Sequence, residues 1–391
     1  MESLSAGTPC LRAFKSVRPA HHAPQKDTLE WLAKMHTAAE RMKSATPDTF
    51  DAPAFQERIR KLLYRCGCSP EKIGSRGYEL ADGTHSIWSE MKIYDVVTHP
   101  DGAGSHERTE LYARATEAAM DRLFAEEDTP PRDLLHVTCT GYTSPSAAQK
   151  LVSKRGWGSQ TRVTHAYHMG CYASLPAVRI AGALCTSERA SESRTDIVHN
   201  ELCTLHMHPA DHSPEQLVVQ SLFADGHIRY SVVPLEVARQ SGSALGVLAL
   251  REEILPDSTG AMAWAVSDHG MRMTLARDVP TRIARAARGF VTELFAQAGL
   301  RFEQDAPRSI FAIHPGGPKV IDVMQSALEI GDAQVAASRD VLFRFGNMSS
   351  ATLPHIWMNL VADSEVTEGT PIVSLAFGPG LTVSAALMVK V

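Results

Sequence analysis

Tyr167-His168-Met169-Gly170-Cys171-Tyr172-Ala173-Ser174-Leu175-Pro176-Ala177-Val178-Arg179-Ile180 decides how this 391-residue chain is read. Arg162 to Tyr167 alternates like a strand, and Ser174 to Ala183 has helical spacing, with Pro176 tolerated in the first turn. Between them stands Gly170-Cys171. Glycine lets the backbone turn sharply and approach a ligand closely. A cysteine just before a helix feels the positive end of the helix dipole, which favours thiolate over thiol. The same geometry turns the Cys171 amide toward an oxyanion. A buried structural cysteine is the plain alternative, and this frame alone does not exclude it.

Two further frames lie downstream. Ala312-Ile313-His314-Pro315-Gly316-Gly317-Pro318 puts a histidine at a strand end before a loop without side-chain bulk. Gly346-Asn347-Met348-Ser349-Ser350-Ala351 puts an asparagine in a turn before a helix. Each has an ordinary reading, as a surface or core histidine and as a turn or cap residue. Together they supply thioester chemistry: a thiol to accept an acyl group, an imidazole to assist it, and neutral donors for an enolate oxygen.

The order Cys171, His314, Asn347 in these frames resembles the type III polyketide synthases, the chalcone and stilbene synthase-like branch of the thiolase-fold condensing enzymes. Gln220-Ser221-Leu222-Phe223-Ala224-Asp225-Gly226 resembles their gatekeeper segment, with Phe223 as the aromatic at the passage to Cys171. Thr138-Cys139-Thr140-Gly141 resembles the bacterial form of the loop lining the starter pocket. Ala376-Phe377-Gly378-Pro379-Gly380 resembles the family's C-terminal scaffold, with Ala376 in place of the first glycine.

The resemblance implies an α/β thiolase-like fold: two similar βαβαβ halves packed as a layered αβαβα core. Residues 1–25 are expected to be a leader or arm, 26–238 the half with the nucleophile, and 239–391 the half with His314 and Asn347. It implies Cys171, His314 and Asn347 as catalytic residues, and Phe223, Met273, Cys139, Thr140, His206 and Ser349 as pocket residues. It also implies a homodimer, with Ser144-Pro145 in a loop reaching toward the partner. The expected reaction is loading of Cys171 from an acyl thioester, then decarboxylative Claisen condensation with a malonyl thioester, with cyclisation to a pyrone or resorcinol possible on release. Alternatives are an acyltransferase that does not extend, a condenser of two carrier-bound chains, a Cys-His-Asn hydrolase, or a silent binding homologue.

Two departures bear on substrates. Met273 stands where plant-type members carry a second gatekeeper phenylalanine. An ungapped match anchored on Ile73-Gly74-Ser75-Arg76 puts Leu63, Cys66 and Pro70 where CoA-binding cations are usual, with Arg65 one position away. That match favours a carrier protein over free CoA as holder of the phosphopantetheine arm. No resident cofactor is expected.

Bulk composition fits this reading. The chain is 44% hydrophobic and 21% charged, as in globular proteins with large cores. Thirty-nine Lys and Arg against 44 Asp and Glu, with no basic run, speak against nucleic acid or an anionic membrane. Seven scattered cysteines, no secretory signal and no spanning apolar run point to the cytoplasm. His206-Met207-His208-Pro209-Ala210-Asp211-His212 has metal-ligand residue types, but Pro209 breaks a helix there, and no metal site is expected.

Overall fold

The structure, a computed structural model, describes residues 4–186, 194–240 and 242–391. The first part of the chain forms β1 (Pro9–Val17), β2 (His21–Pro24), α1 (Gln25–Lys43), α2 (Ala52–Cys66), β3 (Ser75–Tyr78) and α3 (Ser105–Leu123). Next come β4 (Asp133–Thr138), α4 (Ala147–Lys154), β5 (Arg162–Tyr167), α5 (Ser174–Thr186), β6 (Thr195–Leu202), α6 (Pro214–Leu222), β7 (Asp225–Pro234) and the single turn α7 (Leu235–Ala238). The remainder forms β8 (Leu245–Ile254), β9 (Met262–Ser267), β10 (Gly270–Leu275), α8 (Val279–Gln297), α9 (Phe302–Asp305), β11 (Ile310–Ile313), α10 (Pro318–Leu328), α11 (Asp332–Phe345), α12 (Thr352–Ala362), β12 (Pro371–Gly378) and β13 (Thr382–Lys390).

Nine strands join in one mixed sheet in the order β11-β12-β13-β8-β1-β7-β6-β4-β5. The seam is the short antiparallel contact of β1 with β8. Outward from it, β1–β7–β6–β4 repeats the pairing of β8–β13–β12–β11: antiparallel, antiparallel, parallel. The duplication is therefore plain in topology, though no self-similarity shows in the residues. The first half has one more strand, β5, parallel to β4.

Helices α5 and α12 are apolar enough to be buried between layers. They pack in a shared core with Leu135, Ile197 and Tyr230 of the first half and Ile372, Ala386 and Met388 of the second. A separate core under α8 and α10 serves the second half, and α1 to α3 contribute to another under the first. Local signals start several helices. Asp51 accepts from the Ala54 amide, and Ser146 and Gln149 form a reciprocal capping box.

The expected leader is not an arm. Residues 9–17 form β1, at the centre of the sheet, and Cys10 and Leu11 are fully buried. The strand pattern is hidden because two residues, Ala13 and Phe14, oppose the single Tyr230 of β7, a bulge with Ala13 at φ 51°. The bulge breaks the alternation that would announce a strand, while Phe14 stacks on Tyr230 at 5.3 Å. Helix α1 begins directly after β2, at Gln25. Pro24 precedes its first turn, and no side chain caps it. Strands β6, β8 and β10 and helix α11 add to the elements expected from periodicity.

Candidate active site

The Cys171 loop is shaped by both halves. After β5 the backbone passes through positive φ at His168 (61°) and Gly170 (82°) before entering α5. A side chain at Gly170 would lie 2.7 Å from Cδ of Pro379, in the loop after β12, and one at Gly378 would run into the Tyr172 ring. Glycines at both positions let the loop after β12 close on the Cys171 loop.

Cys171 is buried, its Sγ 3.6 Å from Oγ of Ser349. Burial pushes its thiol up to about 12. The Ser349 hydroxyl pulls the other way, and the Glu201 carboxyl adds to the rise. The frame predicted a thiolate; here desolvation outweighs the dipole of a helix that begins only at Ser174. The His314 imidazole is held neutral too, because burial pulls it down to about 3.

His314 ends β11, its amide donating to the Leu375 carbonyl at 2.7 Å. It is the only buried histidine among the described residues with neither ring nitrogen partnered. Asn347 is held from three sides. Its amide donates to Leu222 O at 3.1 Å, its carbonyl accepts from Ala224 at 2.8 Å, and it bridges Phe223. Its side-chain Oδ1 accepts from the Ser349 amide at 2.9 Å and from the Thr352 hydroxyl at 3.4 Å. That fixes the carboxamide and leaves Nδ2 as a donor without a partner. An unspent buried donor costs about 1–3 kcal/mol. Unspent buried donors of this kind are what a site receiving negative charge would require.

Seven of the residues expected at the site line one cavity: Cys171, Phe223, Met273, Cys139, Thr140, His206 and Ser349. His314 and Asn347 are not in its wall. Asn347 reaches it through the Phe223 backbone and the Ser349 amide. The cavity is narrow, about 30 Å³, room for only a couple of waters on the ~10–15 Å³ each requires.

The hairpin of β9 and β10 covers the cavity. Trp264 Nε1 donates to Cys139 O at 2.6 Å, and Gln216 Nε2 to Met273 O at 2.7 Å. His206 fastens it further: Nε2–H donates to Thr140 O at 2.9 Å, and Nδ1 accepts from the Met271 amide at 3.1 Å. With both nitrogens committed and its pKa lowered to about 3 by burial, His206 presents only a neutral ring face to the cavity. His208 donates to Met271 O, and His212 meets Glu40. Among the described residues no three His, Cys, Asp or Glu stand together as metal ligands.

The sequence reading missed Glu201, Cys203 and Trp264. Glu201 is fully buried at the end of β6. It accepts from the Cys139 amide at 3.1 Å, the Thr140 hydroxyl at 2.8 Å and the Ser350 hydroxyl. Cys139 Sγ lies 3.0 Å from Ser349 Oγ, so hydrogen bonds run from Cys171 through Ser349 and Cys139 to this carboxyl. Burial raises the Glu201 pKa. Glu201 follows His199 and Asn200 in a largely polar stretch of β6, so nothing in the local sequence marks it.

The ungapped match at the CoA entrance is out of register. Leu63 is fully buried in the core beneath α1 and α2 and cannot face an entrance. The exposed cations of α2 are Arg58, Lys61 and Arg65. Of the three counted positions, Leu63 alone is buried, while Cys66 and Pro70 are half-buried. No helix among the described residues is long and apolar enough to cross a membrane.

Residues 106–233 match the family model "Chalcone and stilbene synthases, N-terminal domain", and residues 247–391 match the corresponding C-terminal domain. A type III polyketide synthase C of Arabidopsis thaliana is 27% identical over 260 residues, 65% of this chain and 66% of that protein. A 1,3,6,8-tetrahydroxynaphthalene synthase of Streptomyces coelicolor is 26% identical over 302 residues, 75% of this chain and 77% of that one. Among solved structures, PKS-I of the brown alga Ectocarpus siliculosus superposes with a TM-score of 0.83 at 17% identity, covering 98% of each chain. The Streptomyces coelicolor tetrahydroxynaphthalene synthase superposes with a TM-score of 0.76 at 23% identity, covering 97% of this chain and 99% of that one. The hydrolase alternative is thereby set aside: the chain has a thiolase-like fold and belongs to the chalcone and stilbene synthase family, the type III polyketide synthases, acyltransferases that work by decarboxylative condensation.

Proposed function

We propose that the chain loads an acyl group onto Cys171 and extends it with a malonyl thioester. Thiol exchange forms the Cys171 thioester and releases the donor thiol with the Cys171 proton; neutral His314 is suited to take that proton in passing. The malonyl thioester then loses CO2, and the bonding pair becomes an enolate. His314 and the Asn347 amide donate to its oxygen, and its carbon attacks the Cys171 acyl carbonyl, expelling the thiolate. The observation that carries this is the pinned Asn347 carboxamide: with Oδ1 committed, Nδ2 can only donate, and it has no other use. Such preorganised donors are worth roughly 3–4 kcal/mol each.

Phe223 and Met273 act as gatekeepers, and Cys139, Thr140, His206 and Ser349 form the starter wall. Cys139 in that loop supports the bacterial branch of the family. CoA thioesters are the donors, with the exposed Arg58, Lys61 and Arg65 of α2 as cations for their phosphates. The assembly is a homodimer, and release by cyclisation to a pyrone or resorcinol follows extension. The narrow cavity favours a second reading, transfer of a short acyl group without extension.

Mass spectrometry of the protein incubated with acyl-CoA and malonyl-CoA tests this. The expected result is an acyl adduct on Cys171 and malonyl-dependent CO2 release with lengthened products. An adduct without CO2 selects the second reading, and no adduct on Cys171 overturns both. Light scattering tests the dimer.

A further inference from the structure

Beside the segment joined by the Phe223–Asn347 bridge lies a second cavity of about 160 Å³, which shares no lining residue with the first. A single water needs roughly 10–15 Å³, so a small polyatomic ligand fits. Its wall comes from both halves: the end of β1, β2 and β3, the start of β7, and the segment from the end of α11 into α12. Three arginines and three histidines line it, against the single carboxylate of Asp225.

This positive charge is poorly neutralised. Arg76 is 1% exposed and meets no carboxylate. Its Nε donates to Gln25 Oε1 at 2.8 Å, and Nη1 to the carbonyls of Gln220 at 2.8 Å and Phe223 at 2.6 Å. Nη2 has no partner, and burial pulls the pKa down to about 10. Arg18 and Arg344 hold their guanidiniums over the same Phe345 ring, 4.7 and 5.1 Å from its centroid. Arg344 has one exposed ion pair, to Asp340 at 3.2 Å. Asp225 is already occupied, accepting from the Thr204 amide and hydroxyl and from the Glu79 amide.

We propose that this cavity binds an oxyanion of the phosphate class, with Arg76 as the inner anchor and Arg18 and Arg344 at the mouth. Planar guanidinium forks match the paired oxygens of such an anion, and converging like charges become favourable once it is present. The site is also tied to the first cavity, because the guanidinium that anchors the anion holds the Phe223 carbonyl. An occupant that fixes Arg76 therefore fixes the backbone of the gatekeeper. The anion can be free or the terminal phosphate of an ester.

Thermal melts of the full chain in increasing inorganic phosphate, at constant ionic strength, and separately in CoA, test the site. The double variant Arg18→Gln/Arg344→Gln changes only exposed mouth residues, and retained acylation of Cys171 shows that it folds. A saturable rise in Tm that needs about tenfold or more ligand in the double variant supports the site. If inorganic phosphate alone shows this shift, the ligand is the free anion; if CoA alone does, it is a phosphate ester. Responses identical in wild type and variant, or no saturable response to either ligand, overturn the proposal.

Discussion

The two halves share a strand pattern and differ in what they place at the strand ends. In the first half, Cys139 follows β4, Cys171 follows the additional strand β5, and Glu201 ends β6. These groups hydrogen-bond one another through Ser349 and its neighbour Ser350, so the network is nearly saturated. In the second half, His314 follows β11, the counterpart of β4, and Asn347 precedes α12. There, three side-chain nitrogens are left without partners. In the proposed reaction one half would form and break the covalent bond, and the other would keep donors in reserve for developing charge. A duplicated scaffold allows this because the ends of equivalent strands converge while their residues vary independently.

The sharpest way to break this comparison is to disable each half in turn. Cys171→Ser should remove the thioester adduct and reduce turnover by about 10³-fold or more, measured by intact-protein mass spectrometry and product assay. Asn347→Ala should retain loading of Cys171 while decarboxylation of malonyl thioester falls roughly 100- to 1,000-fold. Equal loss of loading and decarboxylation in the second variant would mean that the halves do not divide the work.

Acid stability sharpens the comparison next. Burial holds His36, His136, His199 and His206 of the first half near 3, with His314 near 3 and His355 near 4 in the second. Their folded pKa values lie below the unfolded value, so the unfolded chain binds more protons as pH falls. Stability is lost from about pH 6.5 downward, each group contributing up to about 1.4 kcal/mol per pH unit. Asp225, raised to about 7, works oppositely and offsets part of this between its folded and unfolded values. Tm should drop steeply below pH 6.5, and hydrogen exchange should show β4 and β6 losing protection before β12 and β13. Uniform loss across the sheet would remove the asymmetry.

His206→Ala tests whether that ring fastens the lid or handles substrate. Loss of two buried hydrogen bonds should lower stability by about 1–3 kcal/mol in denaturant unfolding, while loading of Cys171 at low temperature changes little. A large loss of loading in a fully folded variant would instead give His206 a direct role. The smallest effect is expected from Met273→Phe. A rigid ring replaces a flexible thioether in the cavity wall. Chromatography should show products shifted to fewer extensions, with activity within about tenfold of wild type, since volume-tolerant wall changes cost little. Longer products would mean that Met273 does not limit the cavity.

Much of the site was legible because its chemistry demands particular residues in particular local frames. A reactive cysteine needs a sharp turn before a helix, so Gly170-Cys171 stands out between strand and helix patterns. The Gly-Gly loop after His314 and the turn around Asn347 do the same. Local pattern also located β5, α5 and the end of β11, whose periodicity is uninterrupted. The centre of the sheet was illegible for an equally local reason: the bulge at Ala13 and Phe14 breaks the alternation of β1, so a core strand reads as an arm. Leu63 could not be placed by counting along α2, because burial depends on the helix's rotation against α1.

The sequence by itself therefore determined the family and singled out Cys171, His314 and Asn347 as candidates, since each rests on a short frame whose chemistry allows few substitutions. Only the tertiary structure decided the charge states and the unspent donors. Desolvation comes from residues distant in the chain, and it overrides the helix dipole at Cys171 and neutralises His314. Likewise Asn347 is set against the Phe223 segment only because Leu222 and Ala224 pair with its backbone, and Glu201 joined the site only because β6 runs beneath Cys139. Such properties depend on which distant groups a fold brings within hydrogen-bond reach, and residue order alone does not encode that locally.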